Sequence, residues 1–407
     1  MPPDTTYPPY LVRQPLVDAQ FRAVGHAFRL SPGTPLEVLP GAQGVTQARD
    51  EHLIASVIDL EFVRVLGDRL TVLDLAEASL DNPMLSALPP GKVVVPVPAS
   101  RTDVPERLTA LRDLGLTPLL DDDGRGWPIH ITPPAEMARI DSARHDARTL
   151  GDQARLLRRQ GVRRLVAGNV DTEESFEVCR QLAFDIFQGE FLTQPRAGKA
   201  RAPSAGLVQV MELLNQAAAR APFEAIEAGF KRNAALSYRL LRYINSPANG
   251  LSQPIQSIGH ALVWLGHEPL YRWLTLLLFS ARDTDGRDAA LLGNALVRAR
   301  FMENLGSTRL PQAQRGGLFI VGVLSHLDAL LDQPMAEALA PLHLPEAMSA
   351  ALLSGEGPYA PYLKLAKATE RFDQAGVAAL AEAADITADA VNLAHVDALI
   401  WSDSLEK

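Results

Sequence analysis

The stretch FDIFQGEFLTQP, residues 184–195, is the part of the chain whose reading decides the fold. Its apolar positions Phe184, Ile186 and Phe191, with small and polar residues between them, predict a short buried strand that leaves into a loop. Pro195 has no backbone N–H to donate, so a central strand cannot run through it. Gln188 is then expected to point out of the strand's end, beside Gly189. The C-terminal ends of such strands are where parallel α/β barrels assemble their sites.

Working back from this stretch, short β-branched runs alternate with helical periods. RLTVLDL, KVVVPVP, GLTPLL, MARID and RRLVAGNV are separated by stretches such as VPERLTALRDLG and ESFEVCRQLA. That repetition predicts a parallel sheet or barrel. Two earlier runs, YLVRQPLV and FRAVGHAFRL, are joined only by DAQ, which permits an antiparallel hairpin and no crossover helix. Working forward, RAGKARAPSAG, residues 196–206, is rich in Gly, Ala, Pro and basic residues and reads as a linker. Beyond it AALSYRLLRYIN, IGHALVWLG, EPLYRWLTLLLF and GGLFIVGVLSHLDALL are apolar at helical spacing and bounded by Pro, Gly or Asn. The expected organisation is an α/β barrel over 1–195, a linker over 196–206 and an all-α domain over 207–407.

The 407 residues are long for a single core, and 47% hydrophobic with 21% charged residues is the composition of a folded protein. The N-terminus has no basic start followed by an apolar run, and no apolar stretch reaches membrane-spanning length. The lone Cys179 excludes an internal disulfide and a cysteine metal cluster, which fits a reducing cytoplasm. Net charge is −9, with the acidic excess mostly in the first half. Neither half has the basic balance of a nucleic-acid binder. The basic run Arg155, Arg158, Arg159, Arg163 and Arg164 reads as a solvated helix end.

These residues carry a resemblance. The first half resembles an EAL domain, the barrel of cyclic-di-GMP phosphodiesterases, and the second resembles an HDOD domain. RQPLVD, LLDDD, ARID and FQGEFLTQP fall in the EAL family's order, and AALSYRLLRYINSPANGLSQPIQSIGHALVWLG is similar to the HDOD signature. The resemblance implies an EAL-like modified barrel with an antiparallel first strand, followed by an HDOD helical bundle. It also implies two divalent metals held by strand-end carboxylates, generating a hydroxide and clamping the attacked phosphate.

Departures from that pattern set the functional expectation. The tract expected to carry Glu-Ala-Leu reads VGHAFRLS, so Ala27 stands for the first metal-binding Glu and Ser31 for a phosphate-holding arginine. Pro96 and Ala99 stand where paired glutamates are implied, and Gly168 where another is. Asp121, Asp122 and Asp141 keep carboxylates, Asp74 stands for a metal-ligating Asn and still offers oxygen, Arg139 replaces a lysine, and Gln14 and Gln188 match positions that meet guanine edges. An arginine stays protonated where a lysine can be tuned. The expectation is a vestigial site of Gln14, Asp74, Asp121, Asp122, Arg139, Asp141 and Gln188, with no catalytic residue, metal or cofactor.

Other chemistry is sparse. His145-Asp146 spells a metal dyad but lies on a polar helix without further ligands at suitable spacing, and His326 has only Asp328 near it. His260, Trp264, His267, Tyr271 and Trp273 are read as residues of an HDOD groove, core packing being the other reading of their spacing. The sequence thus predicts a catalytically inactive, cytoplasmic bacterial signalling adaptor, a pseudoenzyme contacting protein partners through its HDOD domain. Cyclic-di-GMP binding is expected to be weak or absent, and no membrane insertion is expected. A cyclic-di-GMP receptor or residual phosphodiesterase is the second class, and a nucleic-acid-binding regulator the third.

Overall fold

Three residues between the first two apolar runs force a hairpin, and the computed structural model has one. β1 (Tyr10–Asp18) pairs antiparallel with β2 (Ala23–Ser31). The Asp18 carboxylate closes the turn, its Oδ1 accepting from the amides of Gln20 and Arg22 at 2.9 Å each. The structure describes residues 10–31, 50–51, 53–55, 57–58, 67, 69–127, 134–196, 198, 203–251, 253–280 and 286–406.

Six further strands follow where the β-branched runs stand: β3 (Leu70–Leu73), β4 (Val93–Pro98), β5 (Thr117–Asp121), β6 (Met137–Asp141), β7 (Arg164–Gly168) and β8 (Ile186–Gln188). They close in sequence order into an eight-stranded barrel, with β1 antiparallel to both β2 and β8 and every other pair parallel. Closure removes the sheet edges that would otherwise template aggregation.

Side chains alternate in and out along each strand. One inward layer takes a single apolar residue from every strand: Leu16, Ala27, Val72, Val94, Leu119, Met137, Val166 and Ile186, all buried. Each fully buried Val, Leu, Ile or Met in such a layer contributes roughly 1.5–3 kcal/mol. Two residues further toward the mouth, counting backward on the antiparallel β1, the next inward layer is Gln14, Arg29, Asp74, Pro96, Asp121, Arg139, Gly168 and Gln188. The core fixes the floor on which these polar side chains stand.

The end of β8 differs from the expectation drawn from Pro195. The strand stops at Gln188 because Gly189 adopts φ +155° and packs on backbone: a Cβ there would lie 2.1 Å from the Val170 carbonyl oxygen. Phe191 therefore belongs to a single 3-10 turn, Phe191–Thr193, and stacks on Phe176 with centroids 4.6 Å apart.

Contacts divide the chain into two units, one of residues 1–194, 300–305 and 361–407, the other of 195–299 and 306–360. The expected helical domain ran unbroken from 207 to 407, whereas its C-terminal helices group with the barrel. In that first unit the Leu11 amide donates to Asn392 Oδ1 at 2.7 Å, and His395 Nδ1 lies 3.2 Å from the Leu11 carbonyl oxygen. Asn392 and His395 both lie on the helix Ala388–Glu406, so one of its faces seals the outside of β1.

The second unit is helical, beginning with Ala205–Ala218, Phe223–Lys231, Ala234–Ile244, Ile258–Leu265 and His267–Ser280. Ser204, Asn233 and Ser257 cap three of these helices by accepting from backbone amides. Asn245 ends Ala234–Ile244, and Gly250 turns the chain at φ +61°. Of the expected linker, residues 197 and 199–202 lie outside the described residues. Arg196, at its head, is buried and forked onto Asp332, with Nη2 2.6 Å from Oδ2.

His395 carries a pH dependence. Burial, then the charge of Arg13, lowers its pKa to about 3 against some help from the Leu11 carbonyl, and burial lowers that of His26 well below the ordinary value. Both stay neutral in the fold, while the unfolded chain takes up their protons near pH 6.5. The His395 contribution is complete above that pH and is lost as pH falls from 6.5 toward 3, with a slope of up to about 1.4 kcal/mol per pH unit, and His26 acts in the same direction. Urea unfolding between pH 7 and pH 4 should give that decline, and His395→Gln should flatten it by about one proton's worth.

Candidate functional site

The barrel mouth is built by one side chain laid across it. Arg139, the inward residue of β6, reaches along the Cα of Gly168 on β7, where a Cβ would stand 3.3 Å from its Cγ and 3.4 Å from its Cδ. Its Nε and Nη2 donate to Asp121 Oδ1 and Oδ2 at 2.7 and 2.9 Å, a bidentate fork. Nη2 also donates to Asp74 Oδ1 at 2.8 Å, and Nη1 to Gln188 Oε1 at 3.1 Å. Gln188 passes the network on, its Nε2 donating to Gln14 Oε1 at 2.9 Å. Burial alone would lower the Arg139 pKa, but the charges and hydrogen bonds of Asp121 and Asp74 hold it well above its ordinary value.

Every carboxylate expected at the mouth has a protein partner. Asp74 also accepts from Arg29 Nη2 at 3.3 Å. Asp122 Oδ2 lies 2.7 Å from His145 Nε2, and its Oδ1 accepts from the Gly124 amide. Asp141 pairs with Arg144 at 2.9 Å and caps the turn Ser142–Arg144 through the Ala143 amide. Asp122 and Asp141 thus hold loops as well as charge.

The structure brings Gln14, Asp74, Asp121, Arg139 and Gln188 into one hydrogen-bonded layer, with Asp122 and Asp141 just outside it. Gln188 does not project from the strand end as expected; it is buried in the layer with its amide consumed. Pro96 and Gly168 occupy the layer's remaining places, Ala27 lies in the apolar layer below, Ser31 is the last residue of β2, and Ala99 donates its amide to the Asp121 carbonyl. Sequence reasoning missed Arg29 as a site residue, although counting two from Ala27 puts it inward. Arg144 had an i+3 signal to Asp141, whereas His145 met Asp122 through tertiary structure alone. Asp146, its neighbour, caps the helix Ala147–Arg159 by accepting from the Thr149 amide.

The expected helical groove does not form as a unit. Trp273 is buried, stacked with Phe230 and Tyr243, because its helix turns it into the core. His267 stacks on Phe223 at 4.3 Å and reaches the Ala221 carbonyl, while Tyr271 is half-buried, its hydroxyl pushed up to about 12 by burial. Only His260 and Trp264 are exposed, on the helix Ile258–Leu265.

Two divalent cations do not fit this mouth. They would need oxygens of Asp74 and Asp121 at about 2.0–2.6 Å, and those oxygens already receive the Arg139 donors. Among the described residues no group of three or more His, Cys, Asp and Glu side chains is placed to hold a metal ion. The arrangement left is a neutralised polar floor, with Arg29 at its rim 37% exposed and seated over the Phe372 ring at 5.0 Å.

A closed barrel with an antiparallel first strand, followed by helices, is the organisation that the resemblance implies. Residues 203–338 match the family model of the HDOD domain, so the chain carries an HDOD domain behind an eight-stranded barrel. It is 26% identical over 411 residues to the cyclic di-GMP phosphodiesterase CdgJ of Vibrio cholerae, covering 99% of this chain and 94% of that one. It is 25% identical over 380 residues to the uncharacterized protein YuxH of Bacillus subtilis, covering 89% and 90%. Among solved structures, the PaMucR phosphodiesterase in complex with c-di-GMP is 21% identical, with a TM-score of 0.38 over 45% of this chain and 94% of that one. The expectation that this chain is no enzyme is corrected here. A relative matched over nearly its whole length is named a phosphodiesterase, which points to an enzyme, so missing family carboxylates were too little to exclude one. Among the described residues no helix is long and apolar enough to cross a membrane.

The Arg139 layer has an energetic signature. Arg139→Ala should destabilise the chain by up to about 3–5 kcal/mol, because Asp74 and Asp121 are left uncompensated. Adding Asp74→Asn should recover part of that loss, giving a coupling energy above about 1 kcal/mol in a urea-denaturation cycle. Additive losses would mean that the observed pair is not energetically linked.

Proposed function

We propose that this chain works in cyclic-di-GMP signalling, with the barrel mouth receiving the cyclic dinucleotide and the HDOD domain passing the response to a protein partner. The observation that carries this reading is the near full-length match to a protein named a cyclic di-GMP phosphodiesterase, spanning barrel and HDOD domain alike. The mouth supplies suitable chemistry. Arg29 is a partly exposed cation within reach of a phosphate entering the mouth, while Gln14 and Gln188 are bonded to each other beneath it.

The same layer argues for weak binding. Asp74, Asp121, Asp122 and Asp141 surround the site and face three arginines, Arg29, Arg139 and Arg144. A ligand with two phosphates therefore gains little net attraction. For the response, Trp264 and Val263 on the helix Ile258–Leu265 are 42% and 65% exposed and supply the aromatic and aliphatic contacts that anchor protein interfaces.

Calorimetric titration of the full chain with cyclic-di-GMP, with Mg²⁺ and again with chelator, tests the reading. Saturable binding in the range of roughly 1–100 μM is expected, weakened about tenfold by Arg29→Ala. GMP at the same concentration should not compete. Absence of saturable heat with the wild-type chain would remove the barrel mouth as the receiving site.

A further inference from the structure

The resemblance implies divalent cations at the barrel mouth, and this chain places a guanidinium where their ligands are. We propose that Arg139 is an internal counter-cation: it satisfies Asp74 and Asp121 in place of a metal, and the mouth accepts a divalent cation only when that side chain is gone. The inference is independent of which organic ligand the mouth receives.

Three observations support it. First, the geometry is saturated. Three nitrogens of Arg139 make four hydrogen bonds, to both oxygens of Asp121, to Asp74 Oδ1 and to Gln188 Oε1, all between 2.7 and 3.1 Å. A cation bound to the same oxygens would sit within a few ångströms of the guanidinium, and like charges at that separation repel strongly in a partly buried site. Second, the berth is shaped for this residue. Gly168 has no side chain, and its Cα forms the wall along which Cγ and Cδ of Arg139 run. Third, the surrounding carboxylates are separately occupied, Asp122 by His145 and Asp141 by Arg144, so neither stands ready as a replacement ligand.

An arginine suits this role better than a lysine. Its fork grips both Asp121 oxygens while the outer edge of Nη2 reaches Asp74, which a single ammonium cannot do with the same geometry. The proposal thus assigns specificity to Arg139: it sets which charge the mouth carries, and it makes Asp74 and Asp121 unavailable to Mg²⁺ or Mn²⁺.

Mn²⁺ alone is the probe, followed by the loss of its free-ion electron paramagnetic resonance signal in the presence of the full chain. The wild-type chain should leave the signal of about 100 μM Mn²⁺ unchanged, within the range where weak carboxylate sites begin to fill. Arg139→Ala should bind Mn²⁺ at least about tenfold more tightly than wild type, and Arg139→Ala with Asp121→Asn should lose the gain. Arg139→Gln, which keeps more of the volume, serves where Arg139→Ala does not fold as judged by circular dichroism. Wild-type binding of Mn²⁺ that disappears in Asp121→Asn would overturn the proposal, whatever the variants do. So would a folded Arg139→Ala or Arg139→Gln chain that binds no more Mn²⁺ than wild type.

Discussion

One guanidinium holds the mouth of this barrel together. Arg139 bridges carboxylates on two other strands, Asp121 on β5 and Asp74 just past β3, and touches Gln188 on β8. Take it away and two partly buried negative charges face each other across a floor of apolar side chains. The barrel can afford such a polar layer because the layer beneath it, from Leu16 round to Ile186, is wholly apolar and packed. The gap at Gly168 and the arginine that fills it are one feature seen from two strands.

That arrangement changes what the strand-end carboxylates mean. In an open site they would be ligands waiting for cations; here each is matched by a protein group, Asp141 by Arg144 three residues on and Asp122 by His145 from a later segment. The chain's likeness to a named phosphodiesterase points to an enzyme, and the pairing of its mouth carboxylates with arginines is a separate fact about charge. The rim arginine, Arg29, is the partly exposed cation of this mouth.

Much of the fold was legible because buried parallel strands announce themselves as β-branched runs, and the three residues DAQ leave no room for anything but a hairpin. The end of β8 was read through Pro195, when the chain actually turns at Gly189, a position set by backbone contact with Val170 that no local pattern encodes. The helix Ala388–Glu406 was recognisable as a helix, but its apolar stripe carries no record of what covers it, so its place against β1 was not. The same limit separated Trp273, in the core, from Trp264, at the surface. In the site, the residue types were legible position by position. What escaped was reach: an arginine long enough to span three strands cannot be placed from spacing alone.

The most direct test of this account is a crystal structure of the full chain grown with cyclic-di-GMP and Mn²⁺, with anomalous data collected at the manganese edge. The account predicts Arg139 across Asp74 and Asp121, the dinucleotide against Arg29, and no anomalous peak between the two carboxylates. A manganese peak bridging Asp74 and Asp121, with Arg139 turned out of the mouth, would contradict it.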